Sequence, residues 1–190
     1  MSATRTPKRR IKKPAPPAVY VPHNATILSV DTAEKSGWCL THNGGYVFSG
    51  MVRSSNPAAV SDVIKMAIAH AAPDGSHVVL VLEKPHAQRG RRGGHRTNIA
   101  TLVGMGAARG TWLTMWKLAG MPASRVVSVA PDVWRRRVMG GQGAVAEQVV
   151  ASAWAKREVT QPDEAAACCI AQWARFAGEV VAVLPKVQPC

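Results

Sequence analysis

Ala25-Thr-Ile-Leu-Ser-Val-Asp-Thr-Ala-Glu-Lys-Ser-Gly-Trp38 is a short, apolar, β-branched run that stops on an acid. Ile27, Leu28 and Val30 have the composition of a buried strand, and Thr32, Ser36 and Gly37 supply turn chemistry beyond it. The stretch therefore predicts a strand that delivers Asp31 to the carboxyl edge of a sheet, where open α/β sheets place their chemistry. A plainer explanation also exists, because turns favour Asp for the bonds it makes to its own backbone.

Working outward, Gly37 to Leu40 and Tyr46 to Val52 predict two further strands joined across Asn43-Gly44-Gly45, a strong hairpin signal. Val60 to Ala72 has helical spacing and ends near Pro73, Asp74 and Gly75. His77-Val-Val-Leu-Val-Leu-Glu83 is a continuous apolar run too short for a helix, as a strand buried on both faces should be. It too ends on an acid, and Pro85 stops the ladder beyond Glu83. Asn98 to Ala119 predicts a helix with Trp112 and Trp116 in the core, and Gly104, Gly106 and Gly110 allow close approach along it. Arg125 to Ala130 reads as another buried strand, followed by a short helical turn from Pro131 that carries Trp134, Arg135, Arg136 and Arg137. After Gly140 to Gly143, Ala144 to Lys156 predicts a helix with Val145, Val149, Val150 and Trp154 inward. A last helix, Ala165 to Phe176, is opened by Thr160 to Glu164. Thr160 and Asp163 approximate a capping box, so a helix-capping role for Asp163 stands beside any chemical one. Glu179 to Leu184 predicts a short final strand or extended segment.

The chain has 190 residues, nearly half of them apolar, enough for one domain with a core. No apolar run is long enough to span a bilayer and no secretory core follows the basic N-terminus, which predicts a cytoplasmic protein with no membrane partner. The four cysteines, Cys39, Cys168, Cys169 and Cys190, lack paired zinc-site spacing and are expected to be reduced and mostly buried. A formal net charge of +13 points to a polyanionic partner, most commonly nucleic acid. Residues 1–22 form a basic arm with Arg5, Lys8, Arg9, Arg10, Lys12 and Lys13 among five prolines and no acid, a composition expected to be disordered. Residues 23–190 form the domain. Between Lys84 and Asn98, Arg89, Arg91, Arg92 and Arg96 lie among three glycines with no carboxylate, a pattern suited to phosphate contact next to Glu83; His86 and His95 share this loop.

Three strands, helix, strand, helix, strand and helices, with acids after the first and fourth strands and at the start of the last helix, is the arrangement of the ribonuclease H-like fold. It is an α/β class with a mixed five-stranded sheet, three antiparallel strands then two parallel, flanked by helices. Within it the chain resembles the RuvC family of Holliday-junction resolvases from about Ala25 to Ala177. The resemblance rests on Ile-Leu-Ser-Val-Asp31 with Ser36-Gly37-Trp38, on Val-Leu-Glu83, and on Asn98 with Gly104, Gly106, Arg109 and Gly110. Val-Ser-Val-Ala-Pro131 through Val133 to Gly140 and Gly143, and Asp163-Glu-Ala-Ala-Ala-Cys-Cys-Ile-Ala171, complete it.

The resemblance implies a metal-dependent endodeoxyribonuclease that cuts four-way junctions as a homodimer, with two Mg2+ (or Mn2+) ions per site activating water and stabilising the leaving oxygen. Asp31 would bridge both ions, with Glu83 on one and Asp163 on the other. The chain departs from the family pattern at Ala166, where a second acid on the last helix is usual. Glu164 is the candidate replacement. It departs again at Ala146 and Glu147, where the family carries a lysine. Arg135, Arg136, Arg137 and Lys84 are the available cations. Two other readings keep the same residues: a less selective nuclease on flaps, forks or RNA-containing duplexes, and a noncatalytic nucleic-acid-binding module left by the loss of a carboxylate at Ala166.

Overall fold

The computed structural model of the protein describes Val21 and residues 25–72, 77–85, 99–140 and 144–177. The strands are β1 (Thr26–Asp31), β2 (Lys35–His42), β3 (Gly45–Arg53), β4 (Val78–Glu83) and β5 (Val126–Val129). The helices are α1 (Pro57–Ala71), α2 (Ile99–Leu118), α3 (Pro131–Met139), α4 (Ala144–Ala155) and α5 (Pro162–Ala177). The sheet has five strands in the order β3-β2-β1-β4-β5. β2 runs antiparallel to both β1 and β3, and β4 and β5 run parallel to β1. This is the expected α/β architecture. The basic arm apart from Val21, the loop carrying His86, Arg89, Arg91, Arg92, His95 and Arg96, and the segment 179–184 lie outside the described residues.

The parallel register decides the site. Val30 pairs with Leu82, the last pair before the two strand-terminal acids, so Asp31 and Glu83 end adjacent strands at the same edge. Side chains alternate along a strand. Leu28, Val30, Leu80 and Leu82 pack with α1 and α2 residues such as Ile64 and Trp112. Ile27, Val79 and Val81 pack on the other face with Trp134 of α3 and Ala166, Cys169 and Ile170 of α5. Asp31 and Glu83 continue this second series, so both acids face α3 and α5. Val21, inside the segment assigned to the arm, is buried in the same cluster.

Local chemistry fixes the connections. Asn43 and Gly44 both take positive φ (48° and 72°) in the two-residue β2–β3 turn, as a type I′ hairpin requires. α1 starts three residues before the expected Val60, because Asn56 caps it by accepting from the Ala59 amide at 3.2 Å and Pro57 occupies the first turn. α5 starts at Pro162, so Thr160 stands ahead of the helix and is not its cap; its carbonyl accepts from Gln148 Nε2 at 2.6 Å.

α4 corrects an expectation. Val149 is exposed rather than inward, and the inner stripe is Glu147, Ala151 and Ala155, spaced by four. The alanines let α4 lie close against Ala165, Ala167, Cys168 and Ala171 of α5. Cys39, Cys168 and Cys169 are free and buried, as expected for those three.

Gly37 of β2 pairs with Asp31 and lies under the first turn of α5. A methyl group there would overlap the Asp163 carbonyl and the Glu164 amide. Gly37→Ala is therefore expected to destabilise the fold by more than about 2 kcal/mol through overpacking. Gly104→Ala, in α2 with open space around it, should instead be neutral or stabilise by up to about 1 kcal/mol. Urea denaturation of the two variants checks the contrast, and equal effects would place α5 elsewhere.

Candidate active site

The turn that carries the chain away from Asp31 is held by a buried polar network. Ser36 Oγ lies 2.6 Å from Ser54 Oγ, and each hydroxyl is within 3.0 Å of the Ala33 carbonyl. Trp112 Nε1 donates to Ser36 Oγ at 3.2 Å, tying α2 to the same turn. Thr32 Oγ1 donates to the Glu83 carbonyl at 3.0 Å and the Lys84 amide to the Val129 carbonyl at 2.8 Å. The ends of β1, β4 and β5 are thus locked side by side, and the two acids cannot drift apart.

Their proximity shows in their electrostatics. Burial, then the neighbouring Glu83 charge, pushes the Asp31 carboxyl well above its usual range, with Asp163 adding to the effect and Arg135 opposing it. Burial raises Glu83 as well; hydrogen bonding from Asp31, the charge of Arg135 and the Trp134 indole all act to lower it, and Glu147 acts to raise it. Two carboxyls so placed hold a proton between them unless another cation replaces it. Asp163, in the first turn of α5, is raised by burial and lowered by Lys35.

The sequence-derived candidates divide clearly. Asp31 and Glu83 come together and Asp163 reaches Asp31 electrostatically. Glu164 is committed elsewhere: it is buried, accepts from Ser49 Oγ at 2.7 Å and pairs with Arg157. Arg157 is in turn bound to Tyr46 Oη at 3.0 Å and to Ser49 Oγ at 2.6 Å, so this acid fastens α5 to β3. The expectation that Glu164 fills the place left at Ala166 does not fit this geometry, because adjacent helical residues point about 100° apart. Ala166 itself packs among Val81, Val129 and Trp134. Arg135 stands beside the acids, Lys84 is exposed next to Glu83, and Arg136 and Arg137 are exposed on α3. Arg89, Arg91, Arg92 and Arg96 lie outside the described residues.

Two participants were not legible as such in the sequence. Glu147 is buried and accepts from Arg135 Nε at 2.8 Å. The Trp134 indole N–H is buried without a hydrogen-bond acceptor at bonding distance among the described residues. The signal for Glu147 was its spacing of four from Ala151 and Ala155, which marks an inner stripe once alanines are counted as packing residues.

Among the described residues, no group of three or more His, Cys, Asp or Glu side chains is gathered tightly enough to cage a metal ion. The donor set is nonetheless all carboxylate oxygen, of the kind hard divalent cations take, and its crowded negative charge suits one such ion. Asp31 and Glu83 fit as direct ligands, with Asp163 at the rim.

No protein-family model and no curated protein matches the chain. Its fold, the mixed five-stranded sheet flanked by helices, is shared with solved RuvC structures. It is similar to a Thermus thermophilus RuvC structure at a TM-score of 0.56 and 14% identity, covering 83% of this chain and 99% of that one. It is also similar to T. thermophilus RuvC in complex with a Holliday junction substrate at a TM-score of 0.59 and 11% identity, covering 84% and 99%.

Asp31→Asn replaces one of two crowded buried carboxyls by a neutral amide. In a chelator it should raise stability by about 1 kcal/mol, or about 2–4 °C in melting temperature for a chain of this size. Added Mg2+ should stabilise the wild type and not the variant. Melting curves with EDTA and with Mg2+ check both, and a variant that melts lower in EDTA would mean the two acids do not repel.

Proposed function

We propose that the protein is a divalent-cation-dependent endonuclease that hydrolyses phosphodiesters in branched DNA, with four-way junctions as its substrate. The observation that carries this reading is the Asp31–Glu83 pair at the carboxyl edge of a RuvC-like sheet. Mg2+ or Mn2+ held by these carboxylates would activate water and stabilise the departing oxygen. A second ion per site would draw on Asp31 and Asp163. The protein's own groups do the rest: the Ser36 network fixes the acids, Arg135 stands ready for a phosphate, and the +13 charge draws the DNA in. Lys84, Arg136, Arg137 and the arginines of the 86–98 loop would contact flanking phosphates. Residues 1–22 would add salt-sensitive affinity to the domain that follows, and such a substrate would put the protein with cytoplasmic DNA.

Cutting two symmetric strands calls for two sites related by a two-fold axis. We infer that α2 would supply the surface for a second copy. Ile99 and Val103 are 78% and 66% exposed, and Gly106 and Gly110 continue the same helical face with no described residue outside the helix within 4 Å of where their Cβ would be. Apolar and small residues at this spacing suit close helix packing. Val103→Asp should convert a dimer to a monomer by analytical ultracentrifugation and abolish paired incision; a wild type that sediments as a monomer at every concentration would remove this surface from the account.

The noncatalytic reading is favoured by Ala166 and by the lack of a three-ligand cage among the described residues. One titration separates the alternatives. With a labelled four-way junction and Mg2+, the wild type should make symmetric nicks, and Asp31→Asn should lose at least about 1000-fold in rate while binding as tightly, since it removes carboxylate charge and no phosphate contact. Equal cutting of linear forks would indicate the less selective nuclease, and tight binding without incision in Mg2+ or Mn2+ would indicate the binding module.

A further inference from the structure

α3 begins directly after β5, so its first turns stand over the acid edge. Trp134 turns inward and is fully buried. Arg135, the next residue, is partly exposed; its guanidinium lies 4.7 Å from the Trp134 ring centroid. Its Nε donates to Glu147 Oε1 at 2.8 Å, and among the described residues neither Nη group has a partner. The two members of this pair are unequally placed: the Arg135 side chain is 35% exposed and that of Glu147 is 5%. Burying a carboxylate is costly unless it is paired. Glu147 is itself fixed, because α4 packs on α5 through Ala151 and Ala155 and the Cys169 thiol donates to the Glu147 carbonyl at 3.7 Å.

A buried acid on a rigid helix thus restrains an exposed cation whose donor fork stays open. A free arginine side chain carries about 2 kcal/mol of rotamer entropy, and a tethered one has given much of it up before a ligand arrives. The open Nη pair matches the two non-bridging oxygens of a phosphodiester. Arg136 and Arg137, on the same helix, are exposed and have no such tether.

We propose that Arg135 is the cation that grips the reacting phosphate and that Glu147 is the positioning residue that holds its guanidinium at the acid edge. This rests on the nuclease reading above. It gives a role to an acid that the chain carries where its resemblance led one to expect a lysine. It also separates Arg135 from its two neighbours, which would bind the DNA backbone without being placed for the reaction.

The test is a double-mutant cycle on the full chain, with single-turnover cleavage of the junction, melting temperature and Mn2+ affinity of the DNA-free protein as readouts. Arg135→Ala should slow cleavage by about 100-fold or more, the usual effect of losing one oriented charge-stabilising donor. It should bind Mn2+ at least as tightly as the wild type, since a positive charge has left the acid edge. Glu147→Asp keeps the charge but draws the guanidinium back by one methylene, and should slow cleavage by about tenfold or more, because a misplacement of about 1 Å is enough for such losses. In the Arg135→Ala background Glu147→Asp should have no further effect, since it acts through the arginine. Glu147→Gln, which still accepts from Nε, should stay within about threefold of the wild type. If Glu147→Asp slows cleavage equally in both backgrounds, or Arg135→Ala cuts at the wild-type rate, the assignment is overturned while the nuclease reading stands. A folded wild type that cuts no junction in Mg2+ or Mn2+ overturns both.

Discussion

Two carboxyls that would repel each other are forced together by the backbone pairing of β1 with β4, and the rest of the molecule accommodates that conflict. Parallel pairing puts Val30 beside Leu82 and hence sets the next residues, Asp31 and Glu83, at one edge and on one face. The cost of crowding them in a buried place appears as raised pKa values for both. Nothing in the packing of the strands requires acids there. A pair held at such a cost marks a candidate functional site.

The elements around the pair make sense as supports. Gly37 allows the first turn of α5 to approach β2, which brings Asp163 near Asp31. Ser36, Ser54 and Trp112 clamp the turn beyond Asp31 from the opposite face. Trp134 and Ala166 fill the space beneath α3 and α5 with apolar volume, and Glu147 anchors Arg135 at the rim. The second ion pair, Arg157 with the buried Glu164, has a different function: it pins the start of α5 to β3 through Ser49 and Tyr46. One helix turn therefore carries two acids with separate roles, Asp163 toward the site and Glu164 toward the edge strand.

Much of this was legible in the sequence, and the illegible parts share a cause. Asp31 and Glu83 stood out because each ends a strand whose alternation and length are local properties. The Asn43-Gly44 turn was legible because only a few residues tolerate positive φ. The direction of Glu164 was not legible, because it depends on which face of α5 meets the sheet, set by the close contact at Gly37 rather than by any neighbour in sequence. Val149 was taken as inward on hydrophobicity, yet helix pairing in this protein runs through alanines, and the more apolar side chain was left outside. Ile99 and Val103 fit a buried pattern and are exposed, because the helical spacing of α2 does not say which of its faces meets the sheet.

The central claim is that the Asp31–Glu83 pair is a divalent-cation site. Crystals of the full chain grown with Mn2+ and measured at the manganese absorption edge test it directly. An anomalous peak in contact with both carboxylates, at about 2.1–2.2 Å from oxygen, is the predicted result. An edge occupied by no ion at saturating Mn2+, with Asp31 and Glu83 still sharing a proton, would contradict it.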